Sequence, residues 1–140
     1  MAKSFSTPKT SPCLTPIRLE LPYPPSTNTY WRRVGNRTVL SKAARVFRKR
    51  VADLWFVQKY VFRRDGFDDH PVALKLVAQP PDRRKRDLDN LCKAVLDGLQ
   101  AARIIGDDVQ VRKLELEWGD PAPDGRVTVW IEPLAGKEGD

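Results

Sequence analysis

Residues 72–78, Val-Ala-Leu-Lys-Leu-Val-Ala, make a nearly unbroken apolar and β-branched run, fenced by His70-Pro71 before it and Pro80-Pro81 after it. A run of this length between breakers reads as a central strand. The rest of the chain must therefore supply neighbours for it. Residues 17–21 alternate apolar and polar until Pro22, Pro24 and Pro25 stop them, a short strand. Ser41 suits a helix N-cap, and Ala44, Phe47, Val51, Leu54, Trp55 and Phe62 follow at helical spacing, predicting a helix over 42–63 that Asp65-Gly66 ends. A second helix is predicted over 88–103, with Leu88, Leu91, Cys92, Val95, Leu99 and Ala102 on one stripe. Residues 109–118 and 126–132 alternate on either side of the breaker-rich 119–125, which predicts a hairpin. Residues 24–40 read as a long loop, with a hairpin around Gly35-Asn36.

The fold class expected is α+β: a single domain with a small mixed four-stranded sheet and two helices packed on it, in the order strand-helix-strand-helix-strand-strand. It would occupy residues 17–133 of the 140, between flexible tails at 1–16 and 134–140. No stretch approaches the roughly 18 apolar residues of a membrane span. Residues 1–16 lack the apolar centre of a signal peptide, so the expected setting is cytoplasmic, with no membrane partner.

The net charge of +7 is unevenly placed. Between Trp31 and Arg64 stand Arg32, Arg33, Arg37, Lys42, Arg45, Arg48, Lys49, Arg50, Lys59, Arg63 and Arg64, against Asp53 as the single acid. That local excess is larger than the charge of the whole chain. A solvated helix face is one explanation; a surface for nucleic-acid phosphates is the sharper one.

Cys13 and Cys92 are the only cysteines and His70 the only histidine, so a metal site must be built from oxygens. The acids that qualify follow the basic run Arg83-Arg84-Lys85-Arg86: Asp87 just before the second helix and Asp89 in its first turn, with Asn90, Lys93, Asp97 and Gln100 on the same polar face as Asp89. Each has an ordinary explanation. Asp87 can be a cap, Asp89 a favourable first-turn anion, and Asp89 with Lys93 an i,i+4 ion pair. Asp107-Asp108, at a loop-to-strand junction after Gly106, adds two more carboxylates. Crowded carboxylates repel unless a cation neutralises them, and hard oxygen ligands suit Mg²⁺, with Mn²⁺ as a substitute.

The run Asp82-Arg83-Arg84-Lys85-Arg86-Asp87-Leu88-Asp89-Asn90-Leu91, then Lys93-Ala94, Asp97 and Gly106-Asp107-Asp108-Val109-Gln110-Val111, resembles the signature of the RusA family of phage and prophage Holliday junction resolvases. So does Leu21-Pro22-Tyr23-Pro24-Pro25-Ser26-Thr27-Asn28, and the resemblance covers roughly residues 17–132. It implies that Asp87, Asp89 and Asp108 hold catalytic magnesium and that Lys93 is needed for cleavage. Asp108, rather than Asp107, is the expected inner ligand.

Carboxylate-held Mg²⁺ fits phosphodiester hydrolysis, which needs a hydroxide near neutral pH and relief of charge on the phosphate. Lys93, one turn beyond Asp89, can stabilise the charge that develops. Asn28, Trp31, Arg32, Arg83, Arg84, Lys85, Arg86 and Asn90 are the expected DNA contacts, Trp31 either stacking on bases or packing. The implied partner is a four-way, branched DNA, with no small-molecule cofactor. Paired symmetric nicks need two sites about a two-fold axis, hence a homodimer. Two rivals stand: a non-catalytic basic DNA-binding module, which leaves the acidic cluster unexplained, and a nucleotidyltransferase, for which the Gly-Ser turn and strand-borne acids are missing.

Overall fold

The computed structural model describes residues 15–135, apart from the side chains of Thr27 and Asn28. The expected tails at 1–16 and 134–140 fall mostly outside the described residues. Thr15 and Pro16 both accept hydrogen bonds from Arg64, at 2.5 and 3.1 Å.

Strand β1 (Ile17–Pro22) buries Ile17, Leu19 and Leu21 on one face, as its alternation requires. The helix α1 (Thr27–Tyr30) is a single turn, and β2 (Trp31–Val34) and β3 (Arg37–Leu40) form a separate antiparallel ribbon. Gly35, at φ +61°, turns that ribbon, in keeping with the hairpin expected around Gly35-Asn36. Helix α2 (Lys42–Tyr60) is capped by the Ser41 hydroxyl, which accepts from the Ala44 N–H at 3.1 Å. It stops short of residue 63, because Arg63 takes the left-handed conformation at φ +58°.

Strand β4 (Val72–Gln79) is central, as its composition implied. Helix α3 (Leu88–Ala101) connects it to β5 (Val111–Trp118), and β6 (Arg126–Pro133) completes a mixed sheet in the order β1-β6-β4-β5. The α+β class and the element order hold, with α1, β2 and β3 added within the long loop. The expected hairpin of the last two strands does not form: β6 pairs antiparallel with β1 and β4, and β5 pairs parallel with β4. The helical crossover through α3 returns β5 parallel beside β4 as the edge strand, and β6 takes β4's other edge, between β4 and β1. The 119–125 segment accordingly steps across the end of β4, with Gly119 N–H on the Ala78 carbonyl at 2.8 Å and Ala122 N–H on that of Pro80 at 2.9 Å. Strand β5 also begins later than residue 109, after a 3₁₀ turn at Asp108–Gln110.

Both long helices pack on one sheet face. Val72, Leu74, Leu76, Val127, Val129 and Ile131 meet Phe47, Val51, Val95 and Leu99 in one core. The helices touch at Gly98, where an added Cβ would lie 3.0 Å from the Phe47 ring, closer than packed carbons sit. That contact places the α3 polar face beside α2 and α1.

Candidate nucleic-acid cleavage site

The start of α3 is held by Asp87, whose Oδ1 accepts from the Asp89 N–H at 3.1 Å. Asp87 is thus a helix cap, one of its ordinary roles, and only its Oδ1 is engaged among the described residues. Asp89 lies exposed in the first turn, and Lys93 is exposed one turn on. Burial, with the Asp89 charge as a lesser cause, pushes the Cys92 thiol up, so Cys92 is an unreactive packing residue.

The basic run before α3 is internally braced. Asp82 pairs with Arg86 at 2.7 Å and with Arg84 at 3.4 Å, and accepts from the Arg84 N–H at 3.0 Å. These hydrogen bonds, Arg86 first, hold the Asp82 carboxyl well below the usual carboxylate range. Arg86 is largely covered and lies 5.7 Å from the centre of the Tyr23 ring. Arg83 and Lys85 form no ion pair among the described residues, so their charges face outward. Two clefts flank α3's first turns. One, of about 390 Å³, is lined by Tyr23, the Arg84 to Asp87 segment and Asn90. The other, of about 190 Å³, holds Trp31, Asn90, Lys93 and Asp97. Trp31 is 44% exposed, its ring edge-on to Tyr30 at 5.4 Å, and Arg32 is exposed beside it. Asn28 falls in α1.

Asp108 lies elsewhere. Its backbone N–H donates to Gln100 Oε1 at 2.9 Å, near the end of α3, while Asp89 stands at the beginning. The helical rise puts about 16 Å of axis between positions 89 and 100. Within one chain Asp108 does not join Asp87 and Asp89, and among the described residues no three metal-binding side chains converge. Asp107 is spent as the cap of the 3₁₀ turn, accepting from Val109 N–H at 3.0 Å while its own N–H donates to Gln110. The Asp108 carboxylate is exposed.

A network that sequence reading did not assign lies between these ends. Asp97 receives Arg48 in a two-point pair, at 2.6 and 2.7 Å, and the Tyr30 hydroxyl donates to it as well. Burial raises the Asp97 carboxyl, but Arg48 and then Tyr30 outweigh it, so it stays lowered. Stability from this group is present above the free carboxyl value and is lost as the pH falls through the lower folded value. Asp97→Ala removes the two-point partner of the partly exposed Arg48 and the acceptor of the Tyr30 hydroxyl, so urea unfolding at pH 7 should show a loss of about 1–2 kcal/mol. The loss should shrink toward pH 3. An unchanged loss at both pH values would show packing, not charge, to be the cause. The only sequence signal was that Arg48 and Asp97 carry opposite charges on the faces of two predicted helices.

Residues 22–132 match the family described as Endodeoxyribonuclease RusA. The chain belongs to the RusA family. Among its relatives is the crossover junction endodeoxyribonuclease rusA of Enterobacteria phage HK97, 39% identical over 114 residues, which are 81% of this chain and 92% of that one. The protein of the same name from Escherichia coli strain K12 is 40% identical over 93 residues, covering 66% and 74%. That of Enterobacteria phage 82 is 38% identical over 96 residues, covering 66% and 74%. RusA membership carries a divalent-metal requirement with it. No helix among the described residues is long and apolar enough to cross a membrane.

Proposed function

We propose that this chain is a Mg²⁺-dependent endodeoxyribonuclease that resolves four-way DNA junctions by paired symmetric nicks, working as a homodimer in the cytoplasm. The observation that carries the reading is the Asp87 and Asp89 pair, exposed at the start of α3 directly after the basic 83–86 run, in a RusA-family chain. The donor set fits the ion, because Mg²⁺ is commonly held by one or two carboxylates together with substrate phosphate oxygens and water. Asp87 and Asp89 would hold it, with Asp108 as the third ligand; Mn²⁺ would substitute. When bound, it supplies an ionised water and relieves charge on the phosphate.

The chain's own groups do the remaining work. Arg83 and Lys85 draw the DNA backbone to the cleft, Arg84 and Arg86 hold the loop's shape through Asp82, and Asn90 orients the strand from the cleft lining. Lys93 offers a cation to charge developing on the phosphate. Trp31, Arg32 and Asn28 lie on the approach to the same helix. The separation of Asp108 from Asp89 supports the homodimer: a two-fold axis crossing α3 near its middle sets the start of one helix beside the end of its partner.

A synthetic four-way junction and a linear duplex of matching sequence, each with Mg²⁺ or EDTA, test the reading on a denaturing gel. Paired nicks are expected only for the junction with metal. Junction binding without nicks in any metal would instead leave the non-catalytic DNA-binding module.

A further inference from the structure

The basic 82–86 segment has a second side that the proposed site does not use. There it borders a cleft of about 440 Å³ whose opposite wall is Trp118, the last residue of β5. Trp118 is 40% exposed, although an indole at a strand end beside the core has every reason to pack inward. Its position is fixed by the backbone: it pairs with Ala78 of β4, and the Gly119 N–H donates to the Ala78 carbonyl at 2.8 Å. Gly119 is closely packed as well: a Cβ there would lie 3.1 and 3.2 Å from the Val77 and Gln79 side chains, which would have to shift to admit it. The indole is therefore presented on a rigid strand end. Across from it stand four cations in sequence, of which Asp82 engages Arg84 and Arg86, leaving the charges of Arg83 and Lys85 to the solvent.

We propose that this cleft binds one nucleotide of the DNA substrate, Trp118 stacking on a base lifted out of the helix while Arg83 and Lys85 take the flanking phosphates. An aromatic face opposite unpaired cations is the pattern that holds single-stranded nucleic acid, because every base offers a π surface and every nucleotide a phosphate. The same loop forms one wall of the Asp87 cleft, so a strand crossing it presents a phosphate on one side and the adjoining nucleotides on the other. Branched DNA suits this arrangement, since bases at a crossover unstack at less cost than in a duplex. Trp118 acts here as a positioning residue. The inference rests on the proposed placement of the cut at Asp87 and Asp89.

The test uses junctions carrying 2-aminopurine singly at each position within a few nucleotides of the crossover, where any cut is also mapped, bound by the full chain in EDTA so that nothing is cleaved. One of these positions should change its fluorescence at least about twofold on binding. Trp118→Leu keeps an apolar strand end without a π face; it should lose that change and weaken junction affinity between about five- and a hundredfold. Trp118→Phe should retain most of both. Leu and Phe variants behaving alike, or a wild-type signal persisting in the Leu variant, would overturn the proposal. Failure of the wild-type chain to nick in Mg²⁺, with the Trp118-dependent signal intact, would reject the junction-cleaving reading alone. A wild-type chain that binds no junction rejects both.

Discussion

Asp87→Asn, Asp89→Asn and Asp108→Asn should each lower junction cleavage on the order of a thousandfold at saturating Mg²⁺ while leaving junction affinity equal or higher. Metal-assisted hydrolysis draws several kcal/mol of transition-state stabilisation from the ion, and each 1.36 kcal/mol is about tenfold in rate. Asparagine is the informative replacement. It caps a helix as well as aspartate does, so the hydrogen bond from the Asp89 N–H to residue 87 can survive while the charged ligand is gone. At position 89 the lost first-turn anion costs at most about 1 kcal/mol of stability at an exposed site. Folding is therefore separable from catalysis at both positions. Removing a negative charge beside a polyanion favours binding, which explains the sign expected for affinity. Lys93→Ala should likewise cost rate much more than affinity, because one exposed cation among many contributes little to holding DNA. Wild-type rates in any of the three asparagine variants would remove that residue from the site.

How much of this could be read beforehand differs by element. The central strand and the two long helices were legible because 72–78 and the 3.6-residue stripes state their burial locally, and Phe47, Val51, Val95 and Leu99 are indeed core. Pairing partners were not legible. Strands at 111–118 and 126–133 alternate equally well whether they adjoin each other or stand on opposite sides of β4, and which arrangement forms is a property of the whole sheet, including β1's pairing with β6. The acidic pair at 87 and 89 and its basic approach were visible as a motif. Two features were not: the Asp97 network, which needs the relative angle of α2 and α3, and the exposure of Trp118, which needs the position of the 82–86 loop. Chain order by itself sets Asp108, which follows α3 closely, at that helix's far end from Asp89.

That distance yields the largest qualitative effect expected of this protein. Chains carrying Asp89→Asn and chains carrying Asp108→Asn should each be inactive alone, yet a mixed dimer of the two should nick DNA. If Asp87 and Asp89 of one protomer work with Asp108 of its partner, one of the two sites in the mixed dimer receives both substitutions and the other receives neither. The intact site then acts by itself. Random exchange makes half of the dimers mixed, each with one working site of two, so total nicking should reach about a quarter of wild type. The products should also change, because one working site leaves single nicks where wild type makes pairs. If each site were instead complete within one chain, every site in the mixed dimer would carry one substitution, and mixing would restore nothing. Differently tagged chains, co-folded and purified through both tags, supply the mixed dimer directly, and a nicked-junction gel reads the outcome. A doubly tagged dimer no more active than either parent would place all three carboxylates in a single protomer, and α3 would then have to move to bring them together.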